Sequence, residues 1–384
     1  MRITLDARLL AGGVTSGIPG YTRELFHTLI TSYPEHTFAI FYTGLRRAPL
    51  PESWHQYQNV HVISKRIPNR ILDCTMRITN RPRPDHYWPT DLIFSPHFTV
   101  LPHTTTPRIV TFHDLSFLRY PQFFSPQQKL WHALQRYTEQ ARAATHLIAV
   151  SEFTKNDLHE LLGVPLEKIT VVPSGVDRSF QKIDRADLRL TNYKTHHAFT
   201  RPFILSLGSL EPRKNIPLLI RAFTELKHTG RFWDYELIIA GKPGYRAEEI
   251  FRLAARSSAA ADIRFLTEVK DDERILLYNL AQVFVYPSFF EGFGFPPLEA
   301  QACGTPVISS NRSSLPEILA GSALSIDPWD VSALAAHIEI IETNTKVREN
   351  SIVAGLANAR RFSWQATALQ TMKIFDVHHP PHHE

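Results

Sequence analysis

Short apolar runs alternate with longer amphipathic stretches along the whole chain. Runs rich in β-branched residues predict strands at 3–7, 38–42, 60–63, 92–95, 108–112, 146–150, 168–172, 203–208, 236–241, 263–266, 283–288 and 306–310. Apolar positions at helical spacing predict helices at 19–30, 127–144, 153–162, 215–226 and 271–281. This alternation is typical of α/β proteins, in which helices cover both faces of a parallel sheet.

The number of predicted strands indicates more than one domain. Twelve strands are too many for one doubly wound sheet. The stretch 174–201 is polar and weakly periodic, which is typical of a connection between domains. We therefore predict two Rossmann-like domains, 1–174 and 175–362. Ligands of such sheets bind beyond the carboxyl ends of the strands, which places the expected site in a cleft between two facing domains.

The net charge of +5 over 384 residues is unevenly placed. Residues 1–172 hold 18 Lys/Arg and 13 Asp/Glu, so the remainder holds 42 − 18 = 24 bases and 37 − 13 = 24 acids. The excess is concentrated in 65–83, where Lys65, Arg66, Arg70, Arg77, Arg81 and Arg83 are accompanied by one acid, Asp73. This segment predicts either a solvated basic surface or a face that docks on an anionic membrane. We expect no nucleic-acid partner.

Cysteine usage and the absence of targeting signals favour an intracellular protein. Cys74 and Cys303 lie far apart and form neither a disulfide framework nor a metal-ligand spacing, which favours a reducing compartment. The N-terminus begins a strand and lacks a secretory signal, and no apolar run reaches the ~20 residues of a spanning helix. We expect a cytoplasmic protein, with contact to the cytoplasmic face of a membrane left open.

The stretch 286–307, YPSFFEGFGFPPLEAQACGTPV, is the strongest candidate for a ligand site. A strand runs into a loop that holds Gly292 and Gly294, and a helix follows. Glycines let a loop approach a ligand closely, and a helix start favours an anion, so a phosphate or diphosphate fits here. Glu291 and Glu299 flank that site as hydrogen-bond acceptors for hydroxyl groups. The combination indicates a nucleotide sugar.

Further candidates follow other predicted strands. Gly13 and Gly17 lie in a loop before the first helix, which either seats an anion or is an ordinary turn. His113, followed by Asp114, ends one strand, where an imidazole could contact a sugar hydroxyl, and His97 ends another without a decided role. In the second domain, the loop after 203–208 carries candidate cations for a diphosphate leaving group. These are Arg213 and Lys214.

Glu291 and Glu299, with GFGFP between them, resemble the E-x7-E signature of the family 4 glycosyltransferases, which are retaining enzymes of GT-B architecture. The resemblance runs almost from end to end, through SGIPGYTREL, TFHDLSFLRYP, AVSEFTKNDL and GSLEPRKN. Within the family the chain looks most like O-antigen mannosyltransferases. The resemblance implies a retaining hexosyltransferase that moves mannose from GDP-mannose to a lipid-linked or polysaccharide acceptor.

The resemblance also assigns roles to individual residues. It implies that the glycine loop lies near the donor phosphate and the acceptor, and that a helix at 363–375 crosses back onto the first domain. Many members carry arginine where this chain has Ser209, so either Arg213 takes over that contact or Lys214 alone binds phosphate. Val269 is expected beside the nucleotide base, whose identity stays open.

The implied mechanism is a front-face substitution in which the donor phosphate takes the acceptor proton. Glu291 would orient sugar hydroxyls and support the oxocarbenium-like state, while Glu299 would hold the ribose. The backbone amides of Phe293, Gly294 and Phe295 would line the sugar, and those near Leu298 the phosphate. The sequence shows no Asp-x-Asp or metal-ligand cluster beside them, so we expect neither a metal nor another cofactor.

Three alternatives remain open from the sequence. The donor could be a UDP-sugar of a transferase in the same family. The chain could instead be a nucleotide-sugar epimerase of similar build, which would convert the donor without an acceptor. It could also be a non-catalytic GT-B subunit that binds a sugar nucleotide or a partner transferase. The sequence leaves the oligomeric state undetermined.

Overall fold

The computed structural model describes residues 1–13, 17–45 and 48–379. The chain divides into two compact units, each built around its own sheet. The first unit comprises Met1–Arg119, Pro126–Gly175 and Ser363–Glu384, and the second comprises Tyr120–Ser125 and Val176–Phe362.

Each unit contains one parallel sheet. The strands are β1 Arg2–Asp6, β2 Thr37–Thr43, β3 Val60–Lys65, β4 Leu92–Ser95, β5 Arg108–Phe112, β6 His146–Ala149, β7 Ile169–Val171, β8 Phe203–Leu207, β9 Glu236–Ala240, β10 Ile263–Leu266, β11 Val283–Tyr286, β12 Val307–Ser310 and β13 Leu324–Ile326. In the described residues the first sheet has the order β3-β2-β1-β4-β5-β6-β7 and the second β10-β9-β8-β11-β12-β13. In each sheet, successive strands are first added on one side of the first strand (β1 or β8) and then on its other side, as in doubly wound folds.

Helices connect the strands. They are α1 Ile18–Ser32, α2 Asn69–Thr79, α3 Ser116–Arg119, α4 Pro126–Leu134, α5 Tyr137–Ala143, α6 Glu152–Leu162, α7 Leu188–His196, α8 Ile216–His228, α9 Ala247–Arg256, α10 Asp271–Leu280, α11 Phe295–Ala302, α12 Leu315–Leu319, α13 Val331–Thr343, α14 Thr345–Ala359 and α15 Trp364–His378. In the second unit, Phe223 of α8 and Leu334 of α13 belong to the same core as Ile239 of β9. Strands β8 and β9 are buried at every position, as expected for a sheet covered on both faces. Among the described residues, no helix is both long and apolar enough to cross a bilayer.

The predicted strands all form, but the structure adds or divides some elements. The short strand β13 was not predicted, because three residues carry too little pattern. The helix predicted over 127–144 is two helices, since Arg136 adopts a left-handed conformation with φ 50° between α4 and α5. The polar stretch 174–201 contains α7, whose first turn is capped by Asp187.

The division between the units falls beside the predicted boundary. It lies after Gly175, whereas the sequence indicated 174, and the short segment Tyr120–Ser125 groups with the second unit. A Cβ on Gly175 would come within 2.3 Å of the backbone nitrogen of Trp364, so only glycine fits there. In the first unit, α15 packs against the sheet and α1, with ring centroids 5.2 Å apart for Phe94 and Phe375 and 5.6 Å apart for Tyr21 and Trp364. The cleft between facing domains stays a prediction.

Candidate active site

The loop between β11 and α11 is held in a fixed shape. Gly294 adopts φ 109°, and a Cβ there would lie 2.8 Å from the side chain of Leu315, so this position requires glycine. Ser313 Oγ accepts a hydrogen bond of 2.8 Å from the Glu291 amide. Ser314 Oγ donates to the carbonyl oxygens of Glu291 and Phe293 at 2.9 and 3.1 Å. These hydrogen bonds hold the backbone of Glu291 and Phe293, on either side of Gly292.

The start of α11 offers fewer amides than its position suggests. Pro296 and Pro297 occupy its first turn and carry no N–H. Of the first four positions, which an α-helix leaves without an internal partner, only Gly294 and Phe295 carry an N–H, and the fully buried Leu298 lies one position beyond them. An anion at this helix start would therefore rely on side-chain cations as well as on backbone amides.

Glu291 forms the centre of a buried charge cluster. Its Oε1 lies 2.7 Å from Lys214 Nζ, and its Oε2 lies 2.9 Å from Arg213 Nη1. Ser288 Oγ donates to Oε1 at 2.5 Å. Arg213 also pairs with Glu211 at 2.7 Å, so the two cations are balanced by two carboxylates. The cations predicted for phosphate binding are therefore ion-paired, because burying them requires counter-charges.

The charges in this cluster fix the protonation state of Glu291. Burial raises the pKa of its carboxyl group, but Arg213 and Lys214 outweigh burial and bring that pKa to about 2. Burial and the neighbouring Arg213 lower the pKa of Lys214. Glu291 is therefore a carboxylate at neutral pH and has no proton to give to a leaving group. Within the described residues Lys214 donates to Glu291 and, at 2.5 Å, to Tyr286 Oη, which leaves its third N–H for a ligand.

The loop after β8 brings Lys214 beside the backbone of the sheet edge. A Cβ on Gly208 would lie 3.6 Å from Lys214 Cε, and one on Gly241 would lie 1.9 Å from the Gly208 carbonyl oxygen. Glycine at 241 thus allows the loops after β8 and β9 to approach each other. Ser209 is exposed, next to Gly208.

Glu299 is anchored by α10. Its Oε2 accepts a hydrogen bond of 2.9 Å from Tyr278 Oη and also pairs with Arg274. Burial raises the pKa of Tyr278, which keeps its hydroxyl protonated as the donor. In the described part of the chain, Oε1 of Glu299 accepts no hydrogen bond, so it is available to a ligand hydroxyl.

One edge of the second sheet carries most of the predicted site. Because β8, β10 and β11 run parallel, the segments that follow them lie at the same edge. Half-buried Val269 follows β10 there. The predicted residues at this edge are Ser209, Arg213, Lys214, Val269, Glu291, Gly292, Phe293, Gly294, Phe295, Leu298 and Glu299.

The predicted residues of the first unit also follow strands of one sheet. Gly13 and Gly17 adopt φ 69° and 66°, and Gly17 precedes α1; residues 14–16 of this loop lie outside the described residues. His113 follows β5, and the ring of Tyr21 from α1 lies edge-on to its ring at 4.6 Å. Asp114 Oδ1 accepts hydrogen bonds from the amide and hydroxyl of Ser116 at 2.9 and 2.5 Å, so this carboxylate starts α3.

The tautomer of His113 follows from its hydrogen bond. Its Nε2 lies 2.8 Å from the Pro96 carbonyl oxygen, which can only accept, so Nε2 carries the proton. Burial lowers the pKa of His113 to about 4, which keeps the ring neutral at pH 7. Nδ1 is then an acceptor, so His113 can take a hydrogen bond from a sugar hydroxyl but cannot donate one from that atom.

We expect the protein to lose stability as pH falls from 6.5 towards 4. Burial lowers the pKa of His113, His132 and His146 to about 4 and that of His97 well below its usual 6.5. In that window the unfolded chain binds protons that the folded chain does not, so the free energy of unfolding decreases. His132→Phe keeps a ring on Phe117, 4.1 Å away, and removes one titrating group. Thermal unfolding midpoints at pH 7 and pH 5 should differ less for this variant; an equal drop in both proteins would contradict the assignment.

Several residues of the site were not predicted from the sequence. Tyr286 and Ser288 contact Lys214 and Glu291, while Arg274 and Tyr278 hold Glu299. Arg274 and Tyr278 are four positions apart on a predicted helix and so share a face, a signal that was available. No sequence pattern indicates Ser313 and Ser314, because they hydrogen-bond to backbone groups of a loop more than 20 positions away.

Comparison with known proteins gives matches over most of the chain. Residues 192–356 match the family Glycosyl transferases group 1, and residues 21–180 match Glycosyltransferase Family 4. The O-antigen chain mannosyltransferase B of Escherichia coli is 34% identical over 277 residues, 72% of each chain. The serotype-specific mannosyltransferase WbdA of Escherichia coli is 33% identical over 59% of this chain, a match that spans only 28% of WbdA.

Solved structures share the fold across nearly the whole chain. Sucrose-phosphate synthase from Thermosynechococcus elongatus gives a TM-score of 0.76 at 18% identity, covering 98% of both chains. WaaG, a glycosyltransferase involved in lipopolysaccharide biosynthesis, gives 0.72 at 15% identity over 97% of this chain and 99% of its own. Anabaena HepE in complex with UDP and glucose gives 0.73 at 17% identity over 98% and 100%. These likenesses confirm the predicted α/β fold with two Rossmann-like domains of the GT-B class.

Proposed function

Because the chain belongs to the family of group 1 and family 4 glycosyltransferases, we propose that it is a retaining hexosyltransferase that moves mannose from GDP-mannose to a lipid-linked or polysaccharide acceptor. The observation that carries the proposal is the buried cluster of Glu291, Arg213 and Lys214 at the start of α11, with Glu299 on the same helix. The names of the Escherichia coli relatives support mannose as the sugar. Cell-surface glycan synthesis is the proposed setting.

In the proposed arrangement the donor binds the second unit with its diphosphate at the start of α11. The diphosphate would lie beside the backbone amides of Gly294 and Phe295 and accept the third N–H of Lys214. The ribose hydroxyls would donate to Oε1 of Glu299. The sugar would lie against Glu291, which accepts hydroxyl hydrogen bonds as a permanent carboxylate.

The proposed reaction is a substitution on one face of the sugar. The acceptor oxygen bonds to the anomeric carbon as the bond from that carbon to the donor phosphate breaks, and the acceptor proton passes to the departing phosphate oxygen. Glu291 supports this path in two ways. Its low pKa excludes it as the acid, and the two cations on its oxygens make it a poor nucleophile for a covalent intermediate. Its negative charge instead stabilises the oxocarbenium-like state.

A UDP-sugar is the second candidate donor, because HepE, which shares the fold, binds UDP and glucose. Thermal unfolding with GDP-mannose, UDP-glucose and the free nucleotides would separate the two donors. A ligand of the native state raises the unfolding midpoint by mass action, so we expect the largest rise with GDP-mannose. A larger rise of the unfolding midpoint with UDP-glucose would show that the donor is a UDP-sugar and not GDP-mannose. No rise with any nucleotide sugar would contradict the proposed function.

Glu299→Ala should raise the KM for the donor roughly ten- to hundredfold. A hydrogen bond to a charged acceptor contributes about 1.5–3 kcal/mol, and tenfold in affinity is about 1.4 kcal/mol. Glu299→Gln keeps an amide oxygen at the acceptor position and should give an intermediate KM. Since Glu299 also pairs with Arg274, the unfolding midpoint of each variant must be measured first. A folded Glu299→Ala protein with the donor KM of the wild type would remove Glu299 from the donor site.

We also propose that α2 touches an anionic membrane. The structure buries Leu72 and Met76 on one face of this helix and exposes Ile71 and Ile78 on another, beside the basic residues of 65–83. Asp73 Oδ1 forms an ion pair with Arg8 Nη1 at 3.1 Å, so this carboxylate faces the protein and the outer face of α2 is basic. An apolar and basic helix face is typical of interfacial helices, and it would hold the protein near a lipid-linked acceptor.

Reversing Arg70, Arg77 and Arg81 to glutamate should release the protein from anionic vesicles in flotation assays without changing donor binding. Each basic residue near such a surface contributes about 1 kcal/mol. Wild-type binding should also weaken as salt rises, because salt screens the charges. Reversing the exposed Arg178, Arg185 and Arg256 of the second unit is a matched control and should leave flotation unchanged. Equal flotation of both triple variants, or equal binding to neutral vesicles, would show that α2 is ordinary surface.

A further inference from the structure

A cavity of about 130 Å³ lies within the first unit, beside α2 and the junction of α4 and α5. Its walls include Arg108, the first residue of β5, and Thr145, which directly precedes β6. The cavity therefore lies at the amino ends of these strands. His113 follows β5 at its carboxyl end, so the cavity is separate from the candidate active site of this unit.

The walls of the cavity carry an excess of positive charge. Arg77, Arg108 and Arg136 line it together with a single acid, Glu139, which Arg136 already pairs with at 3.2 Å. Asp85 accepts hydrogen bonds from the lining threonines 104 and 106. That carboxylate lies 3.6 Å from Arg83, which partly offsets its charge.

Two of the three arginines have no carboxylate within ion-pair distance in the described residues. Arg108 is 5% exposed, and its guanidinium donates to neutral oxygens: Ser95 Oγ at 3.1 Å, the Thr99 carbonyl at 3.0 Å and the Gln140 amide. Burial lowers the pKa of Arg108 to about 9, so it is still charged at neutral pH. Arg77 Nε is shut off from solvent and makes no hydrogen bond to the described residues. A buried donor of this kind costs free energy unless a ligand accepts its hydrogen bond.

We propose that this cavity binds a phosphate-type oxyanion, a phosphate or diphosphate group, held by Arg77, Arg108 and Arg136. Guanidinium groups donate in pairs to the oxygens of such an anion, and the hydroxyls of Thr105 and Thr145 on the wall, which donate to no other described residue, add further donors. The volume is roughly ten times what one water needs, so a small oxyanion has room. The anion could be free in solution or belong to a lipid headgroup, since Arg77 and Asn80 place the cavity at the carboxyl-terminal end of α2. The proposal does not depend on which sugar the chain transfers.

Inorganic diphosphate is the probe for the free anion. Arg77→Gln and Arg136→Gln each remove one charge from the cavity, whereas Arg70→Gln removes one from an exposed position of α2 that does not line it. Unfolding midpoints without ligand show first that each variant folds. Diphosphate should raise the midpoint of the wild type and of Arg70→Gln, with an apparent affinity about tenfold weaker in both cavity variants. Binding of diphosphate at the start of α11 is common to all four proteins and cancels in the comparison.

Vesicles containing phosphatidic acid test the lipid source, against phosphatidylserine vesicles of equal charge. A lipid headgroup in the cavity predicts stronger flotation with phosphatidic acid, which Arg77→Gln weakens more than Arg70→Gln does. If the ligand is a free anion, both cavity variants should bind diphosphate about tenfold more weakly, and the protein should float equally with both kinds of vesicle. If Arg77→Gln, Arg136→Gln and Arg70→Gln behave alike with diphosphate and with both vesicles, the arginines act only as surface charge and the site does not exist.

Discussion

Replacing Glu291 with glutamine should lower kcat by a hundredfold or more and change the KM for the donor much less. The substitution keeps the shape of the side chain but removes the charge that faces Arg213 and Lys214 at 2.9 and 2.7 Å. Removing one preorganised electrostatic group from an active site typically costs about 10²- to 10³-fold in kcat. Because the contribution of Glu291 is greatest when positive charge develops on the sugar, the loss should appear in kcat.

The structural role of Glu291 must be separated from its catalytic role. Breaking a buried ion pair costs about 3–5 kcal/mol of stability, so a fall in the unfolding midpoint is expected as well. Glu211→Gln is the matched control, since it removes the other partner of Arg213 and leaves both contacts of Glu291 in place. We expect this control to keep kcat within about tenfold of the wild type. If Glu211→Gln loses as much activity as Glu291→Gln, the charge balance of the cluster matters and Glu291 has no special role.

The pH dependence gives a second check on Glu291. Its pKa is lowered to about 2, so the stability from its ion pairs is complete above the unfolded pKa near 4.5 and is lost as pH falls from there towards 2. The carboxylate does not titrate between pH 5 and 8. Any acid limb in the kcat profile over that range must therefore come from another group.

Lys214→Met should abolish measurable turnover, while excess chelator should leave the wild-type enzyme active. Lys214 is 8% exposed, and its free N–H is the cation contact that we propose for the departing diphosphate. In this proposal the side chain takes the place of a divalent metal ion, so chelation removes nothing that the reaction needs. Activity that chelator abolishes and that magnesium or manganese restores would overturn this prediction.

Arg213→Met provides the comparison for Lys214. The Arg213 guanidinium already contacts Glu211, Glu291 and, at 2.8 Å, the Phe290 carbonyl oxygen. We therefore expect a smaller loss of kcat/KM from this substitution than from Lys214→Met. The opposite order would assign the phosphate contact to Arg213, the alternative that serine at position 209 left open.

The sequence predicted the fold well because the fold depends on long, regular patterns. Twelve of the observed strands and the two-unit division follow from apolar runs and from one polar stretch. Helices α9, α13 and α14 are not among those that the apolar pattern indicated, and the other misses are local. Arg136 breaks a helix through its own backbone conformation, which no periodicity shows, and β13 is three residues long. The segment Tyr120–Ser125 groups with the second unit through aromatic contacts such as Phe123 with Phe289, 5.5 Å apart, and these join distant parts of the chain.

The site was predicted as a set of residues but not as a network. Glu291, Lys214 and Glu299 were singled out because their types and positions fit a nucleotide sugar. No pattern in the sequence indicated that Lys214 and Arg213 would both pair with Glu291, because those contacts span more than 70 positions. The same holds for Arg274 and Tyr278, which hold Glu299 from another helix.

The most direct test of the proposed reaction is the anomeric configuration of the product. The purified chain would be incubated with GDP-α-mannose and a mannose-terminated acceptor, and the new linkage would be assigned by NMR from its one-bond carbon–hydrogen coupling. Transfer on one face of the sugar predicts an α-linked mannose. A β-linked product would contradict the proposed mechanism, and no transfer from any nucleotide sugar would contradict the proposed function.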